Sequence, residues 1–250
     1  MKGLEIMKAI VLAAGKGTRL MSEKFNAPKV LREANGRALI EYVLDNIDFI
    51  PREDTVIVVG YKKEMVTDKL GSDYSFAVQE EQKGTGHAVA VAKDYFKGYD
   101  GNVIILYGDM PLFKKDTYKK LIEEHEKSGA DCTILTSVSD EKLAYGRIIR
   151  ENGNITDIVE EKDCTPEQKE IKELNVGVYV FKSELLFENL TKLKNNNAQG
   201  EYYLTDVPKI LINEGKKIAS YVLHNTNEIL GVNTPEDLAR CENILKAGEK

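Results

Sequence analysis

Ala9-Ile10-Val11-Leu12-Ala13-Ala14-Gly15-Lys16-Gly17-Thr18-Arg19-Leu20 is the stretch from which the rest of the chain can be read. The unbroken apolar run Ala9 to Ala14 predicts a strand buried on both faces, as in a parallel sheet. It empties into a Gly-Lys-Gly turn followed by Thr18 and Arg19. Gly15 and Gly17 carry no Cβ, so the backbone can turn sharply and bring its N–H groups close to an anion. Lys16 and Arg19 place positive charge beside those donors, which suits a polyphosphate. The spacing is neither Gly-x-Gly-x-x-Gly, since Leu20 stands where the third glycine belongs, nor a P-loop. A plain strand-to-turn junction has the same composition, so on spacing alone both readings stand.

Working outward, the first half alternates strands and helices. Apolar residues at Leu39, Ile40, Val43, Leu44 and Ile47 predict an amphipathic helix. Thr55 to Gly60 reads as a second buried strand, Lys62 to Leu70 as a helix and Tyr74 to Val78 as a third strand. Thr85 to Tyr95 reads as a helix before a fourth strand, Val103 to Leu106. That order is the pattern of βαβ units. After Leu112 it changes. A helix (Asp116 to Lys127) and a strand (Asp131 to Val138) lead to a hairpin, Gly146 to Glu160, turning at Asn152-Gly153. Leu174 to Phe181 and Ile218 to Leu223 read as strands, with helices near Ser183 to Leu190 and Asp206 to Glu214. Thr234-Pro235-Glu236-Asp237 opens a terminal helix with an N-cap and proline at its first position.

Net charge is −6, from 35 basic and 41 acidic residues, which disfavours a nucleic-acid binder working through a broad basic surface. Cys132, Cys164 and Cys241 are odd in number and widely spaced, as expected of free thiols in a reducing compartment. No apolar stretch approaches the ~20 residues that cross a bilayer. Met1 to Ile6 lacks the apolar core of a signal peptide, so the expected location is the cytoplasm.

The chemistry-bearing residues sit at the ends of these elements. Tyr107-Gly108-Asp109-Met110-Pro111-Leu112 follows the fourth strand, and open α/β sheets bind ligands at the carboxyl ends of their strands. A hard carboxylate there suits Mg²⁺, although an aspartate before proline is also an ordinary turn residue. Gln79-Glu80-Glu81-Gln82-Lys83-Gly84-Thr85-Gly86-His87-Ala88 opens a helix whose free N–H groups can meet a flat polar edge. His87 reads as structural rather than as an acid or base, because most lone histidines lack the partners of a catalytic site. Asn233 reads equally well as a turn residue or a ligand, and Glu160 alone would pass for part of a solvated charge run.

Leu12-Ala13-Ala14-Gly15-Lys16-Gly17-Thr18-Arg19, with Pro28-Lys29-Val30-Leu31 downstream, resembles the signature of the sugar-1-phosphate nucleotidyltransferases. The resemblance runs from about Lys8 to about Leu238 and is closest to the uridyltransferase domains that act on N-acetylglucosamine-1-phosphate. Asn197-Ala198-Gln199-Gly200-Glu201-Tyr202-Tyr203-Leu204-Thr205-Asp206 is its sharpest subfamily marker. It implies a Rossmann-like α/β fold: a mostly parallel sheet with helices on both faces and a small sugar-binding β region. It further implies one domain over residues 1–250. A nucleotide half would span about 1–112, a sugar half about 113–233 and a C-terminal helix about 234–247.

The implied reaction transfers UMP from UTP to the sugar phosphate with Mg²⁺ as cofactor, a step toward cell-wall precursors. Leu12, Ala13, Ala14, Gly15, Lys16 and Gly17 would cradle the nucleotide, with Tyr107 and Gly108 beside it. Arg19, Lys29 and Asp109 would carry catalysis. Gln79, Gly84 and Thr85 would read the uracil, and Gly146, Glu160 and Asn175 would hold the sugar. Asp109 and Asn233 would be the metal ligands. Another base or sugar on the same fold is the alternative, and a non-catalytic sensor a more distant one. Neither nucleic acid nor membrane is an expected partner, and the oligomeric state is open. Two departures are visible. Leu20 to Ala27 is a few residues longer than the compact loop of these domains, which bears on where Lys29 falls. Asn233-Thr234-Pro235-Glu236-Asp237 follows the wider superfamily instead. Hexapeptide repeats, which bear a second, acetyl-transferring activity in many such enzymes, do not occur in this sequence, so that activity is not expected.

Overall fold

The computed structural model describes residues 7–22 and 24–248. Met1 to Ile6 lies outside them. The first strand, β1 (Met7–Leu12), is central in the sheet, pairing in parallel with β4 (Thr55–Val59) on one side and β6 (Asn102–Tyr107) on the other. The short β2 (Glu33–Ala34) and β3 (Arg37–Ala38) form a separate hairpin that the sequence reading did not anticipate. Beyond β4 lies β5 (Ser75–Val78), again parallel. On the other side β10 (Glu173–Lys182) runs antiparallel between β6 and β7 (Cys132–Val138). Then β11 (Ile218–Leu223) closes the row parallel to β7. The order β11-β7-β10-β6-β1-β4-β5 is mostly parallel, with β10 the one reversed strand of the path.

Alternation along β1 explains the layers. Ala9, Val11 and Ala13 point into one core, together with Val43 and Leu44 of α1 (Leu39–Asn46), Val66 of α2 (Lys63–Leu70) and Leu121 of α4 (Lys115–Ser128). Ile10, Leu12 and Ala14 point into the other. That face holds Ala88 and Val89 of α3 (Thr85–Ala90), Leu186 of α6 (Ser183–Leu190) and Val207 of α7 (Asp206–Asn213). A period of two on a strand with both sides apolar thus gives helices on both faces. The expected helix from Thr85 to Tyr95 is shorter than anticipated: α3 ends at Ala90 and a 3₁₀ turn covers Lys93–Phe96.

The hairpin β8 (Gly146–Glu151) and β9 (Asn154–Val159) turns at Asn152 and Gly153, both with positive φ (50° and 84°), as a tight two-residue turn between strands requires. It joins the sheet where Gly146 and Arg147 pair with Asn175 and Leu174 of β10. A short α5 (Pro166–Lys169) follows, capped by Thr165 and Gln168. The last helix, α8 (Pro235–Gly248), is capped reciprocally: Asp237 accepts from the Thr234 N–H at 2.9 Å, and Thr234 Oγ1 accepts from the Asp237 N–H at 3.1 Å. It packs Cys241 onto Leu20, Leu39 and Val232, fixing the chain on either side of Asn233.

Candidate active site

At the carboxyl end of β1 the backbone turns at Gly15 and enters a 3₁₀ turn at Thr18–Leu20. Gly17 sits in the left-handed region (φ 68°), and a Cβ there would lie 2.7 Å from the Lys29 Cβ and 2.6 Å from the Ser22 hydroxyl. The glycine is therefore what lets Lys29 lie under the loop. The extended segment after Leu20 does not carry Lys29 away. It is tied down by Lys62, which donates to the Asn26 carbonyl at 2.9 Å, and by Arg32, whose guanidinium stacks on Phe25 and donates to the Leu20 carbonyl.

Lys29 is the hub of the site. Its ammonium forms an ion pair with Asp109 and donates to Asn233 Oδ1 at 2.9 Å. Arg19 donates to the same Asn233 oxygen at 3.1 Å. Asp109 and Asn233 come from distant parts of the chain and are held together by backbone: the Val232 N–H donates to the Asp109 carbonyl at 3.0 Å. Two hard oxygens, a carboxylate and an amide carbonyl, thus converge on one cation, here the ammonium of Lys29. That is a donor set able to hold a small divalent ion. The described residues contain no cluster of three or more His, Cys, Asp or Glu side chains placed for a metal. An ion bound here would complete its shell with water and phosphate oxygens, which is the habit of Mg²⁺.

Two clefts of about 200 Å³ each meet at Tyr107 and Asp109. The first is lined by Leu12, Ala13, Ala14, Gly15, Lys29, Gln79, Gly84 and Thr85. Gln82 closes its edge by donating to the Ala14 carbonyl at 2.6 Å. The second cleft is lined by Gly146, Glu160, Asn175 and Asn233, with Tyr145 and Gly177 added. Arg19 and Asn233 also border a third depression running toward Asp237 and Arg240. Lys16, Gly17 and Gly108 line none of these clefts. Lys16 is exposed, and Gly108 is a structural joint whose N–H donates to the Leu12 carbonyl at 3.0 Å, with Val30 too close for a larger residue to sit comfortably.

Burial sets the electrostatics of the second cleft. It pushes the Glu160 carboxyl above its usual range, partly offset by the hydroxyl of Thr205, which donates to Glu160 Oε1. It likewise raises the Tyr107 phenol, with the charges of Glu160 and Asp109 adding to the effect. Asn175 is buried, its amide donating to the Tyr179 hydroxyl at 2.7 Å. Thr205 is a residue sequence reasoning missed. It lies in the Asn197 to Asp206 run, where no side chain had been given a contact. That run crosses to the first cleft as well: the Gly86 N–H donates to the Tyr202 carbonyl at 2.8 Å, and the Leu204 N–H to Thr85 Oγ1 at 3.0 Å. Gly84 allows the crossing, since a Cβ there would fall 2.6 Å from the Tyr202 carbonyl oxygen.

A glycine turn after β1, an acid just past the end of β6 and two adjoining clefts are a layout that suits a nucleotide-transferring α/β enzyme. The family described as nucleotidyl transferase matches residues 8–249, and the chain belongs to it and is a transferase. Within that family it is similar to the bifunctional protein GlmU of Clostridium tetani, at 46% identity over 240 residues covering 95% of this chain and 52% of that protein. The bifunctional protein GlmU of Limosilactobacillus reuteri is 44% identical over 239 residues, with the same coverage of 95% and 52%. The chain therefore spans about half the length of the curated relatives it matches.

Solved structures share the fold at lower identity. One is a UDP-glucose pyrophosphorylase complexed with UDP-glucose, with a TM-score of 0.79, 19% identity and coverage of 98% of this chain and 100% of that one. Another is a putative glucose-1-phosphate thymidylyltransferase from Bacillus anthracis in complex with a sucrose. Its TM-score is 0.77 at 22% identity, covering 95% of this chain and 94% of that one. No helix among the described residues is long and apolar enough to cross a membrane.

Proposed function

We propose that the chain transfers UMP from UTP to N-acetylglucosamine-1-phosphate, giving UDP-N-acetylglucosamine and pyrophosphate, in the cytoplasm. The observation that carries this reading is the convergence of Lys29, Asp109, Asn233 and Arg19 at the junction of two clefts, where the α-phosphate of a nucleotide in the first would face a sugar phosphate in the second. An oxygen of the sugar phosphate attacks the α-phosphorus. The bond to the bridging oxygen of the β-phosphate breaks, and that oxygen leaves with pyrophosphate. Such a transfer asks the protein for positioning and charge neutralisation rather than a covalent intermediate.

Residues 1–112 form the nucleotide half in this reading. Gln79, Gly84 and Thr85 take the uracil, with Leu12, Ala13 and Ala14 as the floor and Tyr107 and Gly108 beside it. Gly15, Lys16, Gly17 and Arg19 hold the outer phosphates of UTP, Lys16 from its exposed position. Lys29 moves its ammonium from Asp109 to the transferring phosphate. Asp109 and Asn233 hold Mg²⁺, which when bound neutralises phosphate charge and polarises the α-phosphorus. Residues 113–233 form the sugar half, where the Gly146 backbone, Glu160 and Asn175 receive the hydroxyls and the N-acetyl group, and residues 234–247 brace it.

Pyrophosphate release tests the reading directly, with Mg²⁺ and a panel of nucleoside triphosphates and sugar phosphates. The expected result is turnover with UTP in which N-acetylglucosamine-1-phosphate exceeds glucose-1-phosphate by ~10²-fold in kcat/KM, because an amide contact and a methyl contact are each lost. Equal values for the two sugars would remove the N-acetyl assignment and leave the nucleotidyl transfer.

A further inference from the structure

The base-reading side of the first cleft carries a constraint that the proposed roles leave unused. Gln79 is 4% exposed and lines the cleft. Its Nε2 donates to the Gly84 carbonyl at 3.1 Å and lies 3.1 Å from His87 Nδ1. The carbonyl of Gly84 can only accept, so the nitrogen end of the amide must face it. Both N–H bonds of that nitrogen are then committed, one to Gly84 and one to His87, which requires Nδ1 to be the unprotonated acceptor and places the imidazole proton on Nε2. Gln79 Oε1 has no partner among the described residues. It is the one part of the amide left for a ligand, and it can only accept.

We propose that His87 is a positioning residue for base selection: it locks the amide of Gln79 with its oxygen toward the ligand, so that among pyrimidines the cleft selects one presenting an N–H on its pairing edge. This rests on the assignment of Gln79 to the base given above. Uracil and thymine carry such a donor at N3. Cytosine has a bare acceptor nitrogen there, and a second acceptor facing Gln79 Oε1 is repelled. The selectivity is built as an unpaired buried acceptor against the wrong base, the arrangement that discriminates most strongly for a polar site. His87 takes no part in the chemical step. It is the third residue of α3, which sets its Nδ1 beside the Gln79 amide.

Replacing His87 by leucine removes the acceptor while leaving an apolar side chain of similar bulk on α3. Replacing it by asparagine puts a carbonyl oxygen near the position of Nδ1. In pyrophosphate-release assays with UTP, dTTP and CTP, the unaltered chain is expected to favour UTP and dTTP over CTP. His87→Leu should reduce that preference about tenfold, through a rise in KM for UTP with kcat held within a small factor, since a loosened amide has one anchor instead of two. His87→Asn should restore most of the preference. Thermal melts of each variant establish that the fold is retained, and calorimetric binding of UTP and CTP reads the same ratio without turnover. An unchanged UTP-to-CTP ratio in His87→Leu overturns the positioning role, as does an equal loss in His87→Asn. Failure of the unaltered chain to prefer UTP over CTP at all would instead strike the assignment of Gln79 to the base.

Discussion

The two clefts that share Asp109 are built from different chemistry. The first is walled mainly by backbone and neutral side chains, Leu12 to Gly15, Gln79, Gly84 and Thr85, with the charges of Lys29, Asp109 and Glu201 also on its lining. The second contains a half-buried carboxylate, Glu160, which accepts from the hydroxyl of Thr205, and a buried amide, Asn175. A flat heterocycle offers one donor or acceptor at each edge atom, which amides and backbone groups match without charge. Sugar hydroxyls are donors and acceptors at once, and a carboxylate with free lone pairs engages two of them. A binding error is therefore penalised differently on the two sides: in the first cleft by the orientation of an amide, in the second by leaving a partly desolvated carboxylate unsatisfied.

The junction itself carries the largest expected effect. Asp109→Asn keeps the shape and one acceptor oxygen but loses the charge that faces Lys29, and turnover should fall by ~10²–10³ while the fold is retained. Near-normal turnover in Mg²⁺ would take Asp109 out of the reaction and dissolve the link between the clefts. Lys29→Ala comes next. Lys29 already bridges Asp109 and Asn233, so its loss should lower kcat by roughly 10² with little change in KM for UTP. Arg19→Ala, reaching Asn233 from the outer side, should change both parameters. A Lys29→Ala variant altered only in KM would make Lys29 a ground-state binder.

Glu160→Gln sharpens the contrast between the clefts. Its carboxylate belongs to the second alone, so KM for the sugar phosphate should rise about tenfold with KM for UTP unchanged. The Asn197 to Asp206 run touches both sides, through Leu204 on Thr85 and Thr205 on Glu160. If the two KM values rise together, that run couples the clefts and they do not bind independently.

Much of the first cleft was legible in the sequence because its residues cluster: Leu12 to Gly15 and Gln79 to Thr85 each sit within one strand-to-helix junction. The parallel strands were legible for a related reason, since runs such as Thr55 to Val59 are apolar on both sides and end at the same edge of the sheet. The reversal of β10 was not, because a strand's direction is set by its partners and leaves no mark on its own composition. Nor was the contact of Thr205 with Glu160, 45 positions apart and brought together by tertiary packing. His87 was read as structural. Its hydrogen bond to Gln79 joins the residue after β5 to α3 across eight positions, a contact set by the path of the intervening loop and not by any local pattern. The small hairpin of β2 and β3 went unseen because strands of two residues show no period.

The smallest effect expected is on stability, at the seam where α4 packs across β6 and β7. His125 on α4 is 2% exposed. Its Nδ1 is 2.9 Å from Thr133 Oγ1 on β7 and its Nε2 3.2 Å from Asn102 Oδ1 on β6. One imidazole thus joins β6, the strand that leads to Asp109, with β7. Burial, aided by the positive charge of Lys182, lowers its pKa from 6.5 to about 4. The unfolded chain protonates this histidine first, so between those values the unfolded state binds more protons and stability falls as the pH drops. The contribution is complete above about pH 6.5, is reduced by on the order of 1 kcal/mol near pH 5.5, and is gone below about pH 4. Denaturant melts at pH 7 and 5.5 measure the loss, and His125→Gln should flatten it, because a neutral amide spans the same acceptor and hydroxyl without titrating. A proton titration followed by NMR gives the pKa of His125 directly. A value near 6.5 in the folded chain would show that the seam draws no pH dependence from this residue.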